Sequence, residues 1–226
     1  MYKTGRKTIL NPLMVIFRPR NDQKVMDAIA KVKVDKLWIN YYPQHLAYTL
    51  ARYEFLRRKE YTHFIIMTDD LVITPRDYEI LKNECDKYDV ISGWSNNWIC
   101  GPWAEYSSVS FKLPPNPPSL GTIEGYDFAK IITLEVMKEA NPDKPIIPVI
   151  HEGTMLTFLK REIVEKSPFR HDCGCCIDSL LSHDLHNAGI KRYVDLRVRM
   201  LHLKWADLPT DLLVHVEPPK VVFEPQ

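Results

Sequence analysis

Short apolar runs alternate with helical patterns over the first 93 residues, and this alternation constrains the fold more than any other feature of the sequence. The predicted strands are residues 13–17, 37–39, 63–67 and 89–93. The predicted helices are residues 22–33, residues 44–60 and a segment that begins at Thr74. Short apolar runs of this kind are typical of strands buried on both faces of a sheet. The succession predicts an α/β domain with a largely parallel sheet and right-handed crossovers.

The second half of the chain has a different pattern. Residues 94–126 contain three tryptophans and the proline-rich segment LPPNPP, which indicates a long functional loop or a β-excursion. A helical stripe over 177–188 ends at Gly189, and apolar residues then alternate with charged ones toward His202, as in a half-buried strand. The tail, VEPPKVVFEPQ, is interrupted by prolines and is predicted to lie on the surface or to fray.

Composition excludes several classes of protein. The formal net charge is +1, from 30 basic and 29 acidic residues, whereas a nucleic-acid-binding protein usually carries a basic surplus. No apolar run approaches the roughly 20 residues that cross a bilayer, and the N-terminus lacks a secretory pattern. The five cysteines are not spaced as a disulfide framework. We therefore expect a cytoplasmic protein with no transmembrane segment, and we leave peripheral membrane contact and the oligomeric state open.

Two adjacent carboxylates, Asp69 and Asp70, follow directly after the third apolar run. Ligands of parallel α/β sheets bind outside the carboxyl ends of the strands. Two like charges at such a place repel each other unless a cation lies between them, and Mg²⁺ or Mn²⁺ shared with substrate phosphates is a common solution. The alternative is that the two aspartates only cap a turn.

The segment FIIMTDDLVITP resembles the "DxD" region of nucleotide-sugar-dependent glycosyltransferases of the GT-A fold. Thr68, Asp69 and Asp70 occupy the three positions of the signature, with threonine in place of the first acid. The resemblance implies a Rossmann-type three-layer α/β/α sandwich with a mostly parallel central sheet and a long middle insertion. It implies one catalytic domain over 1–226, which divides into a nucleotide-binding half (1–93), an acceptor-binding half (94–203) and a C-terminal tail (204–226).

The same resemblance implies a divalent metal and a catalytic base. Asp70 and His202 would be the metal ligands, with Asp69 assisting, and Mn²⁺ or Mg²⁺ would be the ion. Asp178 would remove the proton from the acceptor hydroxyl, as in an inverting enzyme, and Asp172 is the second candidate for this role. Simpler interpretations are a strand-end histidine for His202 and a helix-dipole partner for Asp178.

Substrate-binding residues are predicted along the same edge of the sheet. The candidates for the nucleotide sugar are Phe17, Arg18, Asn40, Tyr41, Arg52, Thr68 and Asp69. The candidates for the acceptor, a glycan or another hydroxyl compound, are Trp94, Asn96, Asn97, Trp98 and Gly153. Aromatic faces stack on sugar rings and amides bind hydroxyls, although Arg52 would equally suit a solvated surface and the tryptophan segment a hydrophobic lid.

Two other functions compete with this prediction, and the cysteine cluster suggests a zinc site. A nucleotidyltransferase would share the sheet and the acids, but FRPRND lacks the glycine-rich phosphate loop of that class. A non-catalytic nucleotide-sugar-binding domain stays open because Thr68 replaces an acid. Zinc binding by His171, Cys173, Cys175 and Cys176 would need a different spacing and a second ligand pair, so we predict a flexible loop there.

Overall fold

The computed structural model describes residues 9–18, 22–96, 105–113, 127–170, 177–203 and 218–226. The first half of the chain contains β1 (Pro12–Arg18), α1 (Gln23–Ala30), β2 (Asp35–Asn40), α2 (Gln44–Arg57), β3 (His63–Thr68), β4 (Leu71–Val72), α3 (Pro75–Glu84) and β5 (Val90–Ser95). The four strands predicted for this half therefore form, as β1, β2, β3 and β5.

The second half begins with β6 (Tyr106–Ser110), β7 (Phe128–Lys130), α4 (Ile131–Ala140), β8 (Ile146–Val149) and β9 (His151–Glu152). It continues with β10 (Thr157–Lys160), α5 (Arg161–Lys166), α6 (Ile177–Asn187), β11 (Arg192–His202) and β12 (Lys220–Glu224). Strands β7, β6 and β9 form a small antiparallel sheet. Its strand β6 lies within the segment 94–126, for which the sequence predicted a loop or a β-excursion.

The main sheet has nine described strands in the order β12-β2-β1-β3-β10-β5-β11-β4, and β8 also pairs with β11. Three of the pairings are parallel: β1 with β2, β1 with β3, and β5 with β11. The other five are antiparallel. The α/β class is confirmed, but the prediction of a mostly parallel, Rossmann-type GT-A-like sandwich is wrong. The main cause is β10, which returns to the sheet between β3 and β5 in the opposite direction.

Helices cover both faces of the main sheet. Side chains from β1 alternate between the two faces, with Val15 packing among residues of α2, α5 and α6 and Ile16 packing among residues of α1 and α3. Both are fully buried. The near-continuous apolar sequence of β1 is thus explained by burial on both sides.

Local sequence signals fix two helix ends. The hydroxyl oxygen of Thr74 accepts a hydrogen bond from the backbone N–H of Asp77, and the carboxylate of Asp77 accepts one from the backbone N–H of Thr74. Pro75 is the first residue of α3. Gly189 follows α6 with φ +70°, a conformation that glycine adopts without strain. No helix of the described residues is long and apolar enough to span a membrane.

Residues 218–226 lie largely exposed at the surface, one of the two outcomes that the sequence predicted for the tail. They form β12, which pairs antiparallel with β2 along the edge of the main sheet. Phe223 packs edge-on against Tyr61 with ring centroids 6.4 Å apart, and Glu224 accepts a hydrogen bond from Nε1 of Trp38 at 2.9 Å. Pro218 and Pro219 precede the strand and Pro225 follows it, so the prolines leave its pairing intact.

Candidate functional site

Five strands end at one edge of the main sheet, which we call the carboxyl edge. β2, β1 and β3 run in one direction. Because β10 is antiparallel to both β3 and β5, and β11 is parallel to β5, the ends of β5 and β11 lie at this edge as well. The strand ends are Asn40, Arg18, Thr68, Ser95 and His202. The sequence-predicted residues therefore converge on the edge where α/β sheets usually bind ligands.

The carboxylate of Asp70 and the imidazole of His202 are in contact at the carboxyl edge. Nε2 of His202 lies 3.1 Å from Oδ2 of Asp70, and the two side chains are 14% and 16% exposed. The contact follows from strand register, since β4 pairs with the end of β11 and places Leu71 opposite His202. The hydroxyl of Thr68 donates to Oδ1 of Asp70 at 2.7 Å. The residue that replaces the first acid of the signature thus orients the last one.

The arrangement can supply two protein ligands to a divalent ion. Asp69 is only 1% exposed, so Asp70 is the carboxylate of the pair that reaches the edge. Among the described residues, no group of three or more histidine, cysteine or acidic side chains is arranged to hold a metal. One carboxylate and one imidazole fit an ion that takes its remaining ligands from phosphates and water, and the imidazole favours Mn²⁺ over Mg²⁺.

The predicted nucleotide residues lie at the ends of β1 and β2. Phe17 is 5% exposed and stacks on Tyr48 with ring centroids 4.1 Å apart, so one face of the ring is already covered. The guanidinium of Arg18 lies 5.9 Å from the ring centroid of Tyr41. Asn40 is 2% exposed, and its side-chain oxygen has no hydrogen-bond partner within the described part of the chain. A buried acceptor of this kind suits a ligand N–H group.

Arg52 forms hydrogen bonds to the backbone at the end of α5. Its Nε donates to the carbonyls of Val164 at 3.0 Å and Ser167 at 2.8 Å, and its Nη2 donates to the carbonyl of Glu165 at 3.0 Å. These are carbonyls at the end of α5, which lack partners within the helix. The guanidinium therefore caps the C-terminus of α5, and this geometry gives no support to nucleotide binding by Arg52.

Asp178 and Gly153 lie side by side, as the acceptor prediction requires. Asp178 is in the first turn of α6, and its Oδ1 accepts a hydrogen bond from the backbone N–H of Ser179 at 2.8 Å. A Cβ atom added to Gly153 would lie 3.5 Å from Oδ2 of Asp178 and 3.4 Å from Cβ of Ser108. A side chain at position 153 would therefore lie in contact with the second carboxylate oxygen. The N–H of Gly153 also donates to the carbonyl of Ser108.

The predicted acceptor residues on the tryptophan segment divide into three cases. Trp94 is fully buried, and its Nε1 donates to the carbonyl of Leu196 at 3.3 Å, so its burial gives no support to sugar stacking. Asn96 lies at the edge, in a pocket that is described below. Asn97, Trp98 and the alternative base Asp172 lie outside the described residues, as does the His171–Cys176 segment.

Behind Asp178 lies a buried polar cluster that the sequence analysis missed. Nδ1 of His151 lies 2.8 Å from the hydroxyl of Ser182, and Nε of Arg192 lies 3.8 Å from Oε2 of Glu152. All four residues are 2% exposed or less. The sequence does contain a signal for it, the two adjacent ionisable residues His151 and Glu152 within IPVIHEGT. The strand that carries them has only two residues, which is too short to show a periodic pattern.

Burial changes the protonation of this cluster. Loss of hydration lowers the pKa of His151 to about 4, against an opposing effect from Asp178. Loss of hydration also raises the pKa of Glu152 to about 7, although Arg192 acts in the other direction. The imidazole is thus neutral near pH 7, and the carboxyl group titrates there. Oε2 of Glu152 and Nε of Arg192 lack hydrogen-bond partners within the described ranges.

Among the residues that the structure describes, three other than glycine have positive φ. They are Tyr41 at +62°, Leu156 at +48° and Phe169 at +46°. Tyr41 follows β2 at the carboxyl edge, and Leu156 precedes β10 at the same edge. Such conformations cost about 1–3 kcal/mol each and cluster at functional sites, since the surrounding structure must hold them in place. Two of the three strained positions thus coincide with the edge where the predicted residues meet.

Together, the fold and the site define an α/β protein with a mixed nine-stranded sheet and a polar carboxyl edge. No family model matches the chain, and no curated protein matches it. Among solved structures, the chain is similar to A197 from STIV, with a TM-score of 0.56 and 16% sequence identity. The match covers 86% of this chain and 95% of that one. At this identity the likeness concerns the fold alone.

Proposed function

We propose that this protein is a glycosyltransferase that takes its sugar from a nucleoside diphosphate sugar and transfers it to an acceptor hydroxyl. The observation that carries the proposal is the contact of Asp70 with His202 at the carboxyl edge, 3.1 Å between Oδ2 and Nε2. A carboxylate and an imidazole from two adjacent strands form a partly exposed pair suited to a divalent ion. Such an ion would neutralise the charge of the diphosphate leaving group when bound.

Asp70 is prepared for this role by its neighbours. The Thr68 hydroxyl holds one carboxylate oxygen, and the backbone carbonyl of Asp70 accepts a hydrogen bond from the N–H of Leu203 at 2.7 Å. The second carboxylate oxygen then faces His202. These hydrogen bonds orient the carboxylate and fix the turn against the end of β11. Hydrogen-bond partners that do not touch the metal position metal ligands in the same way.

Asp178 is the proposed base. Its Oδ1 accepts a hydrogen bond from the N–H of Ser179, and Oδ2 lies next to Gly153. The acceptor oxygen would form its bond to the anomeric carbon as the bond from that carbon to the diphosphate breaks. The hydroxyl proton would pass to Asp178, and the diphosphate would leave with the bonding electron pair. One displacement with one base gives inversion at the anomeric carbon.

The nucleotide would lie over the ends of β1 and β2. Asn40 offers a buried acceptor that no described residue satisfies, and Arg18 supplies positive charge beside the aromatic ring of Tyr41. An acceptor for a base N–H and a cation near the phosphates are the groups that such a ligand requires. The strained backbone at Tyr41 fits a loop that is held in place for binding.

The test is release of nucleoside diphosphate from a panel of nucleotide sugars, with Mn²⁺, with Mg²⁺ and with a chelator. We expect metal-dependent release that Asp70→Ala and His202→Gln each abolish. Asp143→Asn is the matched control, because Asp143 is an exposed acid in the turn between α4 and β8. A titration of Mn²⁺ into the protein without substrate measures the metal site separately from turnover.

The results separate the parts of the proposal. Release that persists in chelator and in both site variants would remove the metal role. Asp178→Asn is expected to keep donor binding and to lose transfer, so transfer at the wild-type rate would show that the base is another group. Nucleotide-sugar binding without any release would favour the non-catalytic alternative.

A further inference from the structure

We propose that a pocket between the ends of β5 and β11 binds one uncharged sugar ring, that Asn96, oriented by Arg199, contacts the sugar, and that Glu135 acts against acidic sugars through Arg199. The inference rests on the proposed function and names its substrate class. The pocket is lined by Asn96, Arg199, Met200, Leu201 and His202, so it directly adjoins the proposed diphosphate site.

The size of the pocket suits a single ring. Its volume is about 240 Å³, below the roughly 300–1,000 Å³ of pockets that hold whole drug-sized ligands. A sugar that is bonded to a diphosphate near His202 would enter such a space, whereas the nucleoside would have to lie elsewhere along the edge. The bound ring could equally belong to an acceptor sugar that approaches the same anomeric carbon.

Arg199 is held in one orientation by three neighbours. Its Nη1 donates to Oε1 of Glu135 at 3.0 Å, its Nη2 donates to Oδ1 of Asn96 at 3.0 Å, and its guanidinium lies 5.0 Å from the ring centroid of the buried Trp94. Guanidinium groups over indole rings gain cation–π attraction, most when they are shielded from water. The side chain, 41% exposed, therefore forms a fixed wall of the pocket.

The contact with Arg199 also fixes the amide of Asn96. Arginine has only donors, so the atom of Asn96 that faces it must be the side-chain oxygen. The Nδ2 group is then left as a donor, and it has no hydrogen bond to another described residue in this structure. A sugar hydroxyl or ring oxygen can accept from this group. Arg199 is thus a positioning residue for Asn96.

The charges around the pocket are compensated, and this compensation points to an uncharged sugar. Arg199 is paired with Glu135 on α4, and His202 is paired with Asp70. A carboxylate on the bound sugar would find no unpaired cation among the described lining residues and would lie near the charge of Glu135. Glu135 therefore acts against acidic sugars, although it touches Arg199 and not the ligand.

The experiment has two stages, and the first tests the proposed function. UDP, GDP, ADP and dTDP are titrated into the full chain with Mn²⁺ to find the nucleotide that binds. The matched hexose and hexuronate donors of that nucleotide, for example UDP-glucose and UDP-glucuronate, are then compared in affinity. Transfer to a neutral and to an acidic alkyl glycoside forms the acceptor arm.

We expect a preference of about tenfold or more for the neutral member in one of the two arms. Glu135→Gln should reduce this preference at least about fivefold, because Arg199 then carries an unpaired charge. Asn96→Ala should weaken binding of the neutral sugar about tenfold while the affinity for the nucleoside diphosphate stays unchanged. Glu139→Gln is the matched control, since it removes the same charge from an exposed position of the same helix.

The outcomes distinguish the two proposals. If no nucleoside diphosphate binds, the proposed function and this inference both fail. If one binds but the neutral and acidic sugars are equivalent in both arms, only the pocket assignment fails. The same conclusion follows if Glu135→Gln and Glu139→Gln change the preference equally.

Discussion

Thr68 has a role that only its hydroxyl group can perform. It donates to Oδ1 of Asp70 at 2.7 Å and leaves Oδ2 toward His202. We predict that Thr68→Val weakens Mn²⁺ binding about tenfold or more, the usual effect of removing a partner that orients a metal ligand. Thr68→Ser keeps the hydroxyl and should retain most of the affinity. Calorimetric titration of Mn²⁺ measures both, and equal affinities for the two variants would contradict this role.

Arg52 is expected to affect stability and not nucleotide binding. Its guanidinium donates to three carbonyls at the end of α5, so Arg52→Met should lower the free energy of unfolding by about 1–3 kcal/mol. Arg76→Met, on an exposed position of α3, should change it by less than about 0.5 kcal/mol. Urea unfolding gives these values. A loss of nucleoside diphosphate affinity in Arg52→Met, without a loss of stability, would restore the nucleotide role.

At the scale of elements, β9 carries two ionisable side chains whose effects on stability oppose each other. The pKa of Glu152 is raised in the folded protein from 4.5 to about 7, so its contribution is full below about pH 4.5 and is lost as the pH rises through 7. The pKa of His151 is lowered from 6.5 to about 4, so its contribution is full above about pH 6.5 and is lost as the pH falls toward 4. The groups acting on them are Arg192, Asp178 and His183.

This opposition predicts opposite pH dependences for two single variants. Between pH 7 and pH 5, Glu152→Gln should lose about 1–2 kcal/mol of stability because the effect of His151 is no longer offset. His151→Gln should gain a similar amount over the same range because Glu152 becomes protonated. Urea unfolding at both pH values gives the change in the free energy of unfolding for each variant. Subtracting one change from the other removes the effects of the titrating groups that the two variants share. Parallel pH dependences would show that this cluster does not titrate as described.

At the scale of the whole molecule, the sequence predicted the units of the sheet but not their order. The strands of the first half were predictable because each is a local apolar run that is buried on both faces. The position and direction of β10 were not, since they depend on pairings with β3 and β5, which lie about 65–95 residues earlier in the chain. A period in the sequence identifies a strand but contains no information about its neighbours.

The candidate site was predictable to the extent that it depends on strand ends. The contact between Asp70 and His202 follows from two predicted strands, whose ends meet because β4 pairs with β11. The contacts of Arg199 with Glu135 and Asn96 join β11 to α4 and to the end of β5, and α4 had not been predicted. Likewise, the burial of Trp94 depends on packing that forms only in the complete fold.

The C-terminal strand closes one edge of the sheet, and its removal should expose that edge. β12 covers β2, where Glu224 accepts from Trp38 and lies 3.8 Å from Nζ of the buried Lys36. Without residues 218–226, β2 would present unpaired backbone groups to other molecules, as uncovered edge strands do. We predict that this truncation lowers the melting temperature relative to the full chain. We also predict that the truncated chain associates, so that its molar mass in solution increases with protein concentration.

Light scattering coupled to size exclusion over a range of concentrations measures this effect. Glu224→Gln provides the control, because it removes the charge near Lys36 but leaves the backbone pairing of β12 with β2 in place. It should keep the mass of the full chain and lose little stability, since an ion pair with one exposed partner contributes about 0–1 kcal/mol. If the truncated chain matched the full chain in mass at every concentration, the covering of β2 would not be what prevents association. If Glu224→Gln associated as the truncation does, the charge and not the strand would protect the edge.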